Sequence, residues 1–148
     1  MFERILVAVD GSLDADAAVR AATAMAAAGG ASGGSSVDIC HVFQIPEQYR
    51  ADLDDAAEDA LRKDGEDALA HAVRVAAEAG VKARPHLLDE ADPAEAVLEL
   101  ASSLDASLIV LGVRGKSADM VRPLGSVSTA VSQRAGCSVL LVRRRPGR

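Results

Sequence analysis

Glycines at 112 and 115, nine further residues, and then Gly125-Ser126-Val127-Ser128 form the stretch of this 148-residue chain best suited to holding an anion. Glycine lets backbone approach a ligand where a Cβ would clash, and a helix starting near Ser126 would offer unpaired N–H donors and the positive end of its dipole. Ser126 and Ser128 add hydroxyls, and Arg114, Lys116 and Arg122 add positive charge. That chemistry is the cradling of a phosphate chain, and the loop is long enough to wrap a triphosphate. The charge distribution points the same way. Residues 1–110 carry 8 basic and 21 acidic side chains, whereas residues 111–148 carry 8 basic and 1 acidic, within a net charge of −6.

Two other phosphate cradles are excluded by spacing. A Walker A loop ending at Gly115-Lys116-Ser117 needs its first glycine at position 110, which is Val110. A dinucleotide fingerprint needs three glycines after the first strand, where Gly11 stands alone. Catalysis has thin support, because hydrolysis needs a placed base and Asp119 is the one carboxylate after residue 110. His41, His71 and His86 share no spacing and are given no metal or acid–base role. Cys40 and Cys137 stand apart beside apolar runs and read as buried free thiols.

Short aliphatic runs alternate with helical spacing along the chain. Strands are expected at 4–9, 37–43, 81–88, 107–111 and 138–143, and helices at 13–28, 51–79, 93–103 and 126–134. Ser12 and Asp92 suit N-caps, the latter followed by Pro93 at the first helical position. Gly80 stops the second helix, and Pro85 confines the third strand to a sheet edge or an irregular end. Strict alternation with right-handed crossovers implies one α/β domain over 1–148. The expected fold is an open, doubly wound, five-stranded parallel sheet with helices on both faces, taken in the flavodoxin-like order 3-2-1-4-5. Ligands in such sheets bind where the winding reverses, here between strands one and four. Asp10-Gly11-Ser12 and Gly112-Val113-Arg114-Gly115 follow those two strands. Taken singly, Asp10 also suits an Asx turn, the glycines a tight turn and Ser126 a helix cap; the joint spacing favours a ligand.

Composition narrows the partners. There is no Trp, and Phe2, Phe43 and Tyr49 are the aromatics, too few for base-stacking platforms, so nucleic acid is not an expected partner. No apolar run reaches the length of a membrane span and the first residues lack signal-peptide character, so the expected location is cytoplasmic. The last strand, with Val139-Leu140-Leu141-Val142, would be an exposed apolar edge, which a homodimer would cover.

The sequence resembles the universal stress proteins, in their ATP-binding branch. The resemblance spans nearly the whole chain and rests on Ile5-Leu6-Val7-Ala8-Val9-Asp10-Gly11-Ser12, His41-Val42, Asp92-Pro93, and Gly112, Gly115, Gly125 and Ser126 in the G-x-x-G, nine residues, G-S pattern. It implies a three-layer fold of the adenine nucleotide alpha hydrolase kind. Ala8 and Val9 would floor the pocket, Asp10 would meet the ribose or adenine side, and the Val42 main chain would read the adenine edge. Gly112, Arg114 and Gly115 would face ribose and phosphates. Gly125, Ser126, Val127 and Ser128 would donate to the phosphate chain. ATP with Mg2+ held mainly through its phosphates, a homodimer through the last strand, and slow or no hydrolysis are all implied. Relatives that autophosphorylate, prefer cyclic AMP or act as nucleotide-independent modules supply the alternatives. Ala91 departs from a glycine common before Asp-Pro, and Arg122-Pro123 from an apolar approach to Gly125.

Overall fold

Near-continuous aliphatic runs bury both faces of a strand, and Arg4–Ala8 (β1) and Leu108–Gly112 (β4) accordingly lie at the centre of a sheet. A computed structural model of the chain describes residues 2–29, 34–43, 45, 47–113 and 125–145. Ser36–Phe43 (β2), Ala83–Asp89 (β3) and Ser138–Val142 (β5) complete five parallel strands in the order β3-β2-β1-β4-β5, as expected. The helices are Leu13–Ala28 (α1), Glu47–Arg50 (α2), Asp55–Glu78 (α3), Pro93–Ser103 (α4) and Ser126–Arg134 (α5).

Alternate residues of each strand feed two cores. Ile5, Val7, Val37, Ile39, Leu108 and Val110 pack under α1 and α3. Leu6, Cys40, Ile109 and Leu111 pack under α4 and α5 with Val97, Ala101 and Val131. Three helices start where an oxygen captures a first-turn amide. Ser12 accepts from Ala15, Asp54 from Ala57, and Asp92 from Ala94 and Glu95.

Three expectations change. The helix read over 51–79 begins at Asp55, because Asp54 caps it and Glu47–Arg50 forms a separate turn closed by Leu53 N–H on the Tyr49 carbonyl. Its buried line runs through Gly65, Leu69, Ala72, Val75 and Ala76, and Leu61 is exposed. β3 starts at Ala83 rather than Val81, since the Val81 amide closes the end of α3 on the Ala76 carbonyl around Gly80 at φ +79°. Pro85 does lie in an edge strand. Cys40 is buried as a free thiol, but Cys137 is only half-buried because it enters β5 at the opposite edge.

Asp38, a carboxylate in the middle of a core strand, is buried and accepts from Arg84 at 2.8 Å and His86 at 2.7 Å. Both partners lie on β3, so this cluster ties the edge strand to its neighbour. Among the described residues, no helix is long and apolar enough to cross a membrane.

Candidate functional site

From β1 the chain winds outward to β2 and β3 and then returns to β4 beside β1. The winding reverses between β1 and β4, and the carboxyl ends of these strands border the crevice where such sheets take ligands. Ala8 lies opposite Leu111 on one side and Cys40 on the other.

Past Ala8 the ladder makes one more bond, from the Val9 amide to the Cys40 carbonyl at 2.9 Å. Val9 is buried, and its own carbonyl accepts from Nδ1 of His41 at 2.9 Å. A carbonyl only accepts, so Nδ1 carries the proton. One Asp10 carboxylate oxygen accepts from the Ser12 amide at 2.9 Å, an Asx turn made possible by Gly11 at φ +82°. Asp10 therefore serves the turn, with its side chain half-buried at the mouth of the crevice. Val42, half-buried at the end of β2, flanks it.

On the other side, Gly112 lies against the first turn of α1. A Cβ there would stand 2.8 Å from the Asp14 carbonyl carbon and 2.9 Å from the Ala15 nitrogen. Next, the Val113 amide donates to the Val142 carbonyl, and the Val113 carbonyl accepts from the Gly125 amide, both at 2.9 Å. The chain thus leaves at Val113 and returns at Gly125 through a single hydrogen-bonded pair, which places α5 directly behind the end of β4. Gly125 is the N-cap of α5 and, among the described residues, no side chain caps this helix, unlike α1, α3 and α4. The first-turn amides of Ser126, Val127 and Ser128 have no acceptor one turn back within the helix. Ser126 is exposed, while the buried Ser128 donates its hydroxyl to the Gly112 carbonyl at 2.7 Å. That hydroxyl proton is committed, leaving the amide as the donor Ser128 can offer.

The structure therefore brings Ala8, Val9, Asp10, Val42 and Gly112 to one end of the sheet, with Gly125, Ser126, Val127 and Ser128 at the start of α5. Arg114 and Gly115, with Lys116, Asp119 and Arg122, lie outside the described residues. Among the described residues, no group of three or more His, Cys, Asp or Glu side chains could hold a metal ion. The donor set, main-chain amides at a helix start, fits a phosphate group. The sequence marks His41 only as part of the His41-Val42 pair and gives no sign of its bond to Val9. The signal of a close-packed ring is Gly65, a glycine in mid-helix, where a Cβ would come within 2.8 Å of the His41 ring.

A model described as the universal stress protein family matches residues 1–143. The chain belongs to this family. It is 39% identical to a universal stress protein of Thermus aquaticus, with 97% of this chain and 100% of that one aligned. A solved universal stress protein in complex with cAMP superposes with a TM-score of 0.72 at 28% identity, covering 95% of this chain and 97% of that one. The Archaeoglobus fulgidus universal stress protein in complex with dAMP gives 0.71 at 25% identity, over 94% and 96% respectively. The ligands of those two relatives are adenine nucleotides. The open five-stranded sheet with helices packed on it is the family's adenine nucleotide alpha hydrolase-like fold.

Proposed function

We propose that this universal stress protein is a cytoplasmic adenine-nucleotide-binding regulator, taking ATP with Mg2+, in which occupancy acts as a switch in a homodimer. The observation that carries the reading is the start of α5. It lies behind β4 at the winding reversal, and among the described residues no side chain caps it. The main-chain amides of Ser126, Val127 and Ser128 would hold phosphate oxygens there. Gly112 and Gly115 let the backbone come close, and Arg114 offsets charge. Mg2+, when bound, neutralises the phosphates and is held chiefly by their oxygens. Ala8 and Val9 floor the base, Asp10 meets the ribose or adenine side, and the Val42 main chain reads the adenine edge. The adenine nucleotides carried by solved relatives support the choice of base.

β5 is the outer strand beside β4, and its half-buried Val139, Leu140, Leu141 and Val142 suit pairing with a second copy. Hydrolysis is slow or absent in this reading, because Asp119 is the one carboxylate after residue 110 and no motif directs it to act as a base beside the terminal phosphate. Calorimetric titration tests the reading. The wild type binds Mg-ATP, and Gly115→Val, folded by circular dichroism, binds far more weakly; equal affinity for the two refutes the site. Titration with cAMP in parallel identifies the preferred nucleotide, and release of labelled phosphate at background level excludes an ATPase. Sedimentation of the wild type at a dimer's mass, shifted to monomer by Leu141→Arg, tests the β5 pairing.

A further inference from the structure

We propose that His41 is a positioning residue of this site: by taking the Val9 carbonyl it keeps the Val42 N–H and C=O, which face β1, out of the β1–β2 ladder and available to a ligand. The proposal rests on the adenine-nucleotide reading. In a parallel ladder the N–H and C=O of one residue face the same neighbouring strand, and facing residues alternate. The bond from the Val9 amide to the Cys40 carbonyl sets the register, so the next bond would run from the Val42 amide to the Val9 carbonyl. Among the described residues that backbone bond is not made, and the His41 imidazole holds the carbonyl at 2.9 Å instead. Cys40 and Val42 share the side of β2 that faces β1. With β1 ended at Ala8, the Val42 N–H and C=O point past its end into the crevice. A donor and an acceptor on one residue match the acceptor N1 and the donor N6 of adenine, and they present the reverse of what guanine's N1–H and O6 require.

The fold makes room for this device. Gly65 sits in the middle of α3, where glycine is a poorer helix former than alanine. A Cβ there would come within 2.8 Å of His41 Cδ2 and of Leu87 Cδ1 and within 3.3 Å of His41 Nε2. The missing methyl lets the helix close over the ring without displacing it.

His41→Leu removes the donor at similar bulk, and His41→Asn restores an N–H near the position of Nδ1. Each variant is checked by thermal melting, followed by amide hydrogen exchange at Val42 in the free protein and by Mg-ATP titration. In His41→Leu the Val42 amide falls back onto the Val9 carbonyl, so its exchange slows about tenfold or more and affinity drops about tenfold, the worth of one hydrogen bond. His41→Asn returns both towards wild type, which a purely structural role for the ring would not produce. Gly65→Ala, which keeps the imidazole but crowds it, lowers affinity in the same direction and stands in if His41→Leu fails to fold. Wild-type exchange at Val42 in His41→Leu, or no rescue by a normally melting His41→Asn, overturns the proposal. A wild type that binds no nucleotide overturns the reading beneath it, while the exchange at Val42 still judges what His41 does to the strand.

Discussion

The Ser128 hydroxyl donates to the Gly112 carbonyl at 2.7 Å, so the start of α5 is fastened to the end of β4 by a side chain that is itself buried. Ser126, two residues earlier, is exposed at the same helix start. The two serines therefore separate stability from binding. Ser128→Ala leaves the Gly112 carbonyl without its donor and costs about 1–2 kcal/mol, read as a lower melting temperature. Ser126→Ala changes stability by no more than about 0.5 kcal/mol and weakens Mg-ATP binding several-fold in calorimetry. Equal melting of the two variants refutes the division.

Gly112 has a second constraint that binding does not explain. The atoms a methyl would meet are the backbone of Asp14 and Ala15, which cannot rotate away as a side-chain tip can. α1 must then move off β4, and overpacking of that kind costs about 1–3 kcal/mol. Gly112→Ala is expected to lower the unfolding free energy by that amount with no ligand present, read as a lower denaturant midpoint. An unchanged midpoint in apo protein assigns this glycine to ligand approach alone.

The five strands, the edge position of β3 and the caps at Ser12 and Asp92 are readable because each follows from a local pattern: aliphatic runs, a proline, and a polar residue before a helical period; the strand order comes from the flavodoxin-like arrangement adopted for such alternation. The placing of Asp10, Gly112 and the start of α5 at one end of the sheet follows from the strand order and the positions of the glycines. The unread contacts are long-range. Asp38 with Arg84 and His86 joins residues 46 and 48 positions apart, and His41 with Val9 joins residues 32 apart. A carboxylate among apolar residues shows that a partner exists without saying which. The place of Ser128 in the motif likewise marks its hydroxyl as a ligand donor. That it turns back to Gly112 depends on how α5 sits against β4, which no spacing encodes.

Burial and the nearby charge of Asp38 push the Cys40 thiol up from 9.0 to about 12. The proton is held more tightly in the folded chain than in the unfolded one, so this group stabilises the fold below pH 9 and that contribution is lost as pH rises towards 12. Two results are expected. A thiolate-directed reagent at pH 8 modifies Cys137, half-buried at the start of β5, well before Cys40, which reacts only on unfolding. Cys40→Ala flattens the loss of stability above pH 9. Rapid native labelling at Cys40 contradicts both.

The opposite sign applies between α1 and α3, where Asp16 accepts from His71 at 2.9 Å and from Arg20 at 3.1 Å. Partial burial raises the Asp16 pKa, but the hydrogen bonds from His71 and Arg20, together with their charge, outweigh it and hold the carboxyl below 3.8. The unfolded chain then binds the proton more readily than the folded one. Stability from this group is present above pH 3.8 and is lost as pH falls through the lowered folded value. Its size is on the order of 0.5 kcal/mol, as for other partly exposed pairs. Urea unfolding from pH 6 to pH 2.5 should show the wild type ahead of Asp16→Asn at pH 6, with the gap closing below pH 3.8. A gap of constant size across that range would mean that the carboxylate's charge contributes nothing to holding the two helices together.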